Sequence, residues 1–455
     1  MAEVMEVSDP ILSSYAELAK VWATNGGDWL NAIRGEAIER FRELGFPDTR
    51  QEDWKYTNVS PVRKAGFKLP SASKTVRQDD IAPFLLDGLK CARLVVVDGR
   101  FSEELSTIPG LPPGVCLGGL AEAISRGSAP ADASPRRRLT KRATFQDRPF
   151  VALNTAFLQD GVYVFVPRGT ALPLPVHLLF VSTATGRAEP VVSHPRCLIA
   201  LEDTTELTVI EDYVFCGRPG GSAPYLTNAV TEIDMGAGAL LDYYKLERES
   251  DRAYHFAALA VRQSRDSRFT SHTVCVGGGL VRNNIDVELD GEGIDCTLNG
   301  LTVIGGKQHV DNQTRIVHAK PRCHSWEIYK NILSDRATGV FNGKIYVAQD
   351  AQKTDAKQTN KTLLLSARAV MNSKPELEIY ADDVKCTHGA TVGELDRESL
   401  FYLLSRGIDR ETARSLLTYA FASEVVDNIK VRPLRAAIQK MLFSKLPQEF
   451  ALEVS

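Results

Sequence analysis

Apolar residues recur every three or four positions at the start of the chain. Ile11, Leu12, Tyr15, Leu18, Ala19 and Trp22 predict a helix ended by Gly26-Gly27. Leu30, Ile33, Ala37, Phe41 and Leu44 predict a second, opened at Asp28 and stopped by Gly45. ARLVVVDGRF, from Ala92, reads as a buried strand and turn. Residues 127–143, GSAPADASPRRRLTKRA, read as a linker or exposed loop with a solvated basic cluster.

From about Phe150 to Val392 the period changes to two. GVYVFVPRG, CLIALEDTTELTVIED, RNNIDVELDGEGIDCTLNGLTVIGG and GVFNGKIYVAQDAQ are β-branched runs separated by Gly, Asn and Asp turns. No helix is expected across this stretch. So many short strands suit a closed barrel, two sandwiches or a solenoid, and no strict repeat period selects the last.

At Asp396 the helical period returns. Leu400, Phe401, Leu403 and Leu404 form a stripe ended by Gly407. Asp409 caps a helix carrying Ala413, Leu416, Leu417, Ala420 and Phe421, and a third helix starts near Pro433 with Leu434, Ile438, Met441 and Leu442. This tail is expected to cap the open end of the β-rich part, its leucine stripes shared between the β-core and the helices. The chain thus divides into 1–148, mainly helical with a linker, a β-rich core at 149–392, and a helical region at 393–455.

Composition narrows the function. Of 455 residues 44% are hydrophobic and 24% charged, and the net charge of −3 offers no basic surface for nucleic acid or anionic lipid. The N-terminus MAEVMEVSDPILSS has no secretory or transit character, and no apolar run reaches membrane-span length. A soluble protein of the cytoplasm, or of the plastid stroma in processed form, is expected.

Several chemistries have no motif here. GxxxxGK[ST], GxGxxG at a βαβ unit, GxSxG and HExxH are all missing, and VGGGLV at 276–281 reads as a turn between strands. The eight cysteines include no CxxC and are expected to be reduced and mostly buried. Cys323 and His324 are adjacent, so a strand splits them between its faces.

VKCTHGATVGELD, 384–396, is different. Cys386 and His388 are two apart and share one face of a strand. Both are ligands for a soft or borderline metal, but two donors do not close a tetrahedral site. Completion requires donors from elsewhere in the fold or from another subunit. Packing at a buried strand is the competing reading.

SARAVMNSKPELEIYADDVKCTHGATVGELDRESLFYLLSRGIDRETARSLLTYAFASEVVDNI, 366–429, resembles the C-terminal signature of the SufB/SufD family of iron–sulfur cluster assembly proteins. TRQEDWKYT, 49–57, resembles the N-terminal signature of its SufD branch. The resemblance implies a mainly β fold, a right-handed parallel β-helix between helical regions. It implies a SufC-like ATPase docked on the tail, where Leu404, Arg406, Gly407 and Asp409 form the expected contact. It also implies a SufB-like paralogue paired through the end of the β-helix, or a second copy of the chain. The implied cargo is a nascent, transient Fe–S cluster shared with that paralogue, with flavin as an open further cofactor of the complex. SufB-like chains carry glutamate directly after the motif histidine, whereas Gly389 follows His388 here. The implied role is therefore an accessory, non-catalytic scaffold subunit with His388 as interface ligand and Cys386 as the weaker one. A SufB-like scaffold holding the cluster itself is the alternative. A solenoid carbohydrate-active enzyme is a more distant one, disfavoured by the absence of an acid cluster and a secretion signal.

Overall fold

A computed structural model describes residues 10–24, 28–70, 76–126, 133–183, 189–217 and 223–446. The expected Gly26-Gly27 stop lies outside them.

Successive strands alternate between two ten-stranded sheets. From Arg196–Leu201 onward each strand pairs in parallel with the strand two further along, so the chain winds as a parallel β-solenoid of about seven turns. In the second sheet Leu280 lies over Tyr254, His309 over Leu280, Thr338 over His309 and Val370 over Thr338, steps of 26, 29, 29 and 32 residues. Unequal coils explain why no period shows in the sequence. Inward positions fill the space between the sheets. Leu94, Val164, Leu178, Ile199, Val209 and Ile233 are all 1% exposed or less and belong to one continuous core.

Helices cover the outer faces. Asp28–Leu44, ended by Gly45 at φ +64°, sets Ala37, Ile38 and Phe41 against Val230, Ala258 and Ala260 of the second sheet. Between them lies a helix the sequence did not suggest, Pro149–Ala156. All eight of its residues are buried, so it has no polar face to generate a helical period. The strands Ala92–Val97, Arg100–Thr107 and Cys116–Gly119 join the sheets from the N-terminal part of the chain.

Residues 127–132 of the expected loop lie outside the description, but the rest is not a solvated linker. Ala133, Leu139 and Ala143 are buried. Arg138 pairs with Glu202 and Asp234, and Arg142 with Asp234, on the surface of the second sheet. Carboxylates distant in sequence absorb what reads locally as a basic cluster.

The tail does not cap the solenoid. Arg410–Val426 and Arg432–Lys445 lie along the outer face of the first sheet, where Val425, Val426, Leu434, Ile438 and Leu442 pack on Tyr244, Leu246, Leu301, Val303 and Ile332. The face buried by Arg410–Val426 is Ala413, Ser415, Thr418, Ala422, Val425 and Val426. The expected stripe shares only Ala413 with it. Small side chains let the helix approach the sheet closely, which leaves Leu416 and Leu417 half-buried and Ala420 exposed. Cys197, Cys275, Cys296 and Cys323 are buried, and the other four cysteines are half-buried; none of the eight is in a disulfide among the described residues.

Candidate functional site at the open end

The last strand of the first sheet, Lys385–Gly393, pairs only with Asp355–Leu364. The last of the second, Val370–Ile379, pairs only with Thr338–Val347. Each leaves one backbone edge without a neighbour among the described residues. Large apolar side chains are exposed there: Val370 at 48%, Ile379 at 38%, Tyr380 at 60% and Val392 at 48%. An unpaired parallel edge flanked by apolar residues is a template for another strand.

Cys386 lies over Ala356 and His388 over Gln358. Ala356, Gln358, Asn360 and Thr362 are the buried, inward residues of their strand, so Cys386 and His388 face the solenoid axis. Among the described residues no further coil covers them. Cys386 is half-buried against Ile345, Val347 and Ala351, and His388 is exposed at the mouth. Burial pushes the Cys386 thiol up, with Asp355 adding to the rise and the Ala356 backbone opposing it. A raised thiol is a poorer nucleophile and ligand than a thiolate, which leaves the imidazole as the stronger donor.

Beneath His388 the interior is polar. Gln358 Nε2 donates to Glu327 Oε2 at 2.7 Å. Glu327 and Gln358 are 1% and 2% exposed, and the remaining oxygen of each has no hydrogen-bond partner. Burial pushes Glu327 up to about 7, with the nearby Thr314 hydroxyl and the Gln358 amide opposing. A Cβ on Gly343 would stand 2.2 Å from Gln358 Nε2, so only glycine leaves room for that amide. A second polar line reaches the mouth through Asn331, Asn360 and Ser373, joined by bonds of 2.8 Å. None of these residues shows in the sequence as a site. Their signal is a polar residue at an inward strand position, which is visible only once register is known.

The TRQEDWKYT stretch lies elsewhere and is a clip. Trp54 is buried against Phe150 and Phe256, with the Arg282 guanidinium 3.8 Å from its ring centre. Arg282 donates to the Asp53 carbonyl at 2.8 Å, and Thr57 Oγ1 stands 2.9 Å from His309 Nε2. Glu52 reaches Lys374 at 2.6 Å. Together these contacts tie the N-terminal part to the outside of the second sheet.

The tail residues form a separate group. Asp396 accepts from Ser399 N to open the helix Arg397–Ser405, and Asp409 accepts from Glu411 N and Thr412 N to open the next. Gly407, at φ +83°, makes the turn between them. Arg397–Ser405 has no buried residue and packs on Arg410–Val426, so its stripe is not shared with the β-core. Phe401 and Tyr402 are 73% and 57% exposed, with Arg406 5.2 Å over the Tyr402 ring. Leu404 is half-buried.

Comparison with known proteins gives this architecture a context. Residues 180–421 match the family model of the SufBD core domain of the SUF system for FeS cluster assembly. Residues 5–178 match that of the SufBD protein N-terminal region. The chain belongs to the SufBD family of iron–sulfur cluster assembly proteins. An iron–sulfur cluster assembly SufBD family protein of Synechocystis is 32% identical over 95% of this chain and 94% of its own length. The iron–sulfur cluster assembly protein SufD of Escherichia coli is 32% identical over 90% of this chain and 92% of its own. The chloroplastic protein ABCI7 of Arabidopsis thaliana is 31% identical over 89% and 84%. Among the described residues no helix is long and apolar enough to cross a membrane.

Proposed function

We propose that this chain is an accessory, SufD-like scaffold subunit that pairs through its open end with a SufB-like paralogue. A second copy of the chain is the other partner of the same shape. The observation that carries the proposal is the placement of Cys386 and His388 on the inward face of the last strand, uncovered, beside two unpaired sheet edges. A family that works in cluster assembly, and an imidazole and thiol two residues apart at such a mouth, support half a site. His388 is the ligand offered to the nascent cluster, which is cargo shared with the paralogue, and Cys386 is the weaker donor. A flavin would belong to the assembled complex. The reading of a SufB-like scaffold that holds a cluster alone lacks a carboxylate at 389, where the chain has glycine.

The tail serves a different partner. Phe401, Tyr402 and Arg406 form an exposed aromatic and cationic surface of the kind enriched at binding hot spots. We assign it, with Leu404, Gly407 and Asp409, to a SufC-like ATPase. The chain itself performs no catalysis, and ATP hydrolysis comes from that partner. In this reading 1–148 braces the solenoid, 149–392 forms the assembly surface and 393–455 recruits the ATPase. The setting is the cytoplasm or a plastid stroma.

The test is His388→Ala in the reconstituted complex. Folding and subunit pairing are expected to stay intact while cluster yield under anaerobic iron and sulfide falls severalfold, with a smaller fall for Cys386→Ser. Unchanged yield from the His388→Ala complex would remove the half-site.

A further inference from the structure

The middle of the solenoid holds a second concentration of chemistry, far in sequence from the open end. Lys245 and Glu247 face inward from the strand Leu240–Arg248, and Cys275 lies in register beside Glu247 on the neighbouring strand. His255 faces them from the opposite sheet, and Glu249 follows in the connecting turn. All five are 5% exposed or less. One oxygen of Glu247, one of Glu249 and one ring nitrogen of His255 lie within 4.8 Å of one another.

The charges in this cluster do not balance. Lys245 is its cationic side chain, and Nζ donates to His255 Nε2 at 3.0 Å and to Asn283 Oδ1 at 2.7 Å. An ammonium has no acceptor, so Nε2 accepts and the ring proton sits on Nδ1, 2.7 Å from Glu249 Oε2. His255 is therefore neutral. Glu247 accepts from the Glu249 N–H at 3.1 Å and from Cys275 Sγ at 3.3 Å, and no cationic side chain lies within ion-pair distance of it among the described residues. Two carboxylates thus sit side by side in a dry interior, with Lys245 and Lys445 acting on them only at longer range, whereas buried charges are paired or hold metals. Burial pushes Glu249 up to about 7 and, with Lys245, His255 down to about 3.

The backbone leaves space at the same place. The Gly277-Gly278-Gly279 turn packs on this corner. Gly278 is at φ +78°, and a Cβ there would stand 3.4 and 3.7 Å from the two Glu247 oxygens and 2.3 Å from Val281 Cγ2. A side chain at Gly278 would clash with Val281 and stand in ordinary contact with the carboxylate. On the surface by Gly279 lies a separate cavity of about 600 Å³ bordered by Arg252, Tyr254 and Gln308.

We propose that Glu247, Glu249 and His255, with Cys275 as fourth donor, bind one divalent first-row transition ion. Two carboxylates, an imidazole and a thiolate are a donor set for Zn²⁺ or Fe²⁺ rather than for Mg²⁺ or Ca²⁺. Binding exchanges protons. The ion takes His255 Nδ1, whose proton leaves, and Lys245 passes a proton to Nε2 and then accepts from it as a neutral amine. Cys275 loses its thiol proton. Two protons leave for each ion bound from His255 and Cys275, and any carboxyl that still holds its proton releases it as well. The site is independent of the open-end reading.

The experiment measures metal in the full chain, purified from zinc-supplemented cells, and follows Co²⁺ uptake by the same chain after chelation. One ion per chain is expected, with a near-ultraviolet thiolate-to-Co²⁺ band. Glu247→Gln, close in shape and folded by circular dichroism, should weaken Co²⁺ binding at least as strongly as the loss of a supporting partner, about 10- to 100-fold. Cys275→Ser should retain an ion and lose the band. His388→Ala with Cys386→Ser should keep both ion and band, which separates this site from the open end. A folded wild-type chain that carries no zinc and takes up no Co²⁺ would overturn the proposal. So would an unchanged band in Cys275→Ser, or unchanged affinity in Glu247→Gln.

Discussion

The two ends of the solenoid are finished differently. At one, the chain doubles back: Arg100–Thr107 pairs antiparallel with Ala92–Val97, and Cys116–Gly119 with Gly161–Val166. Asp160 ties the closure by accepting from Phe101 N and Ala121 N at 2.9 and 3.0 Å. Its interior is aliphatic, with Leu94, Val96 and Leu178 fully buried. At the other end two parallel edges stop without a turn-back, the interior is polar, and Cys386 and His388 stand uncovered. Antiparallel return over an apolar fill covers the last parallel coil and stabilises it, leaving the outer edges to the antiparallel strands Arg100–Thr107 and Cys116–Gly119. The end that lacks both is the one we propose pairs with a partner.

The largest contrast to test is packing. Leu94→Ala at the closed end should lower stability by about 2–5 kcal/mol, because a fully buried leucine leaves a cavity. Val392→Ala at the open end should change the free chain by about 0.5 kcal/mol or less, as at exposed positions generally. Thermal melts of the isolated chain check both. Equal losses would mean that the open end is packed in solution.

Next in size is the polar interior below the mouth. The folded-state value for Glu327 lies above the unfolded one, so the stability linked to its proton is fully present below about 4.5 and is lost as pH rises through about 7. The loss amounts to up to about 3 kcal/mol for a shift of this size in a fully buried group. Glu327→Gln should remove that fall, making the variant more stable relative to the wild type at pH 8 than at pH 4.5. Denaturation midpoints at the two pH values measure it, and parallel profiles would show the carboxyl to be hydrated.

Edge pairing follows. Ile379→Lys combined with Val392→Lys adds two charges at the mouth without touching the core. Partner affinity should drop on the order of 30-fold, the scale of a hot spot worth 2 kcal/mol, while the melting temperature of the free chain stays put. Titration calorimetry against the paralogue reads this directly. The smallest effect expected is on the flank. Arg406→Glu should weaken ATPase capture about tenfold or less and leave pairing at the open end unaltered, as a pull-down with both partners would show.

Local signals in the sequence placed the helix boundaries well. Gly45, Gly407 and the Asp396 and Asp409 caps act through a few neighbouring atoms, so they can be read without the fold. The solenoid itself was legible as many strands but not as a repeat, because coil lengths vary. Pro149–Ala156 was invisible because burial on every side erases amphipathic period. The tail was assigned to the wrong surface: a helical stripe reveals that a face is buried, not which face receives it. At the site, the spacing of Cys386 and His388 announced a shared strand face. Gln358 and Glu327 are brought beneath them only by register 30 and 61 residues upstream of His388. Glu247 and Glu249 carry the same two-residue spacing that singled out Cys386 and His388, but His255 joins them from the other sheet.

The central claim is that His388 offers its imidazole to a cluster at the boundary between this chain and its paralogue. Pulsed electron paramagnetic resonance tests it most directly, on an anaerobically reconstituted and reduced complex in which only this chain carries ¹⁵N-histidine. The account predicts a ¹⁵N hyperfine coupling to the cluster that disappears in the His388→Ala complex. A cluster with no ¹⁵N coupling, or one whose coupling survives that substitution, would contradict it.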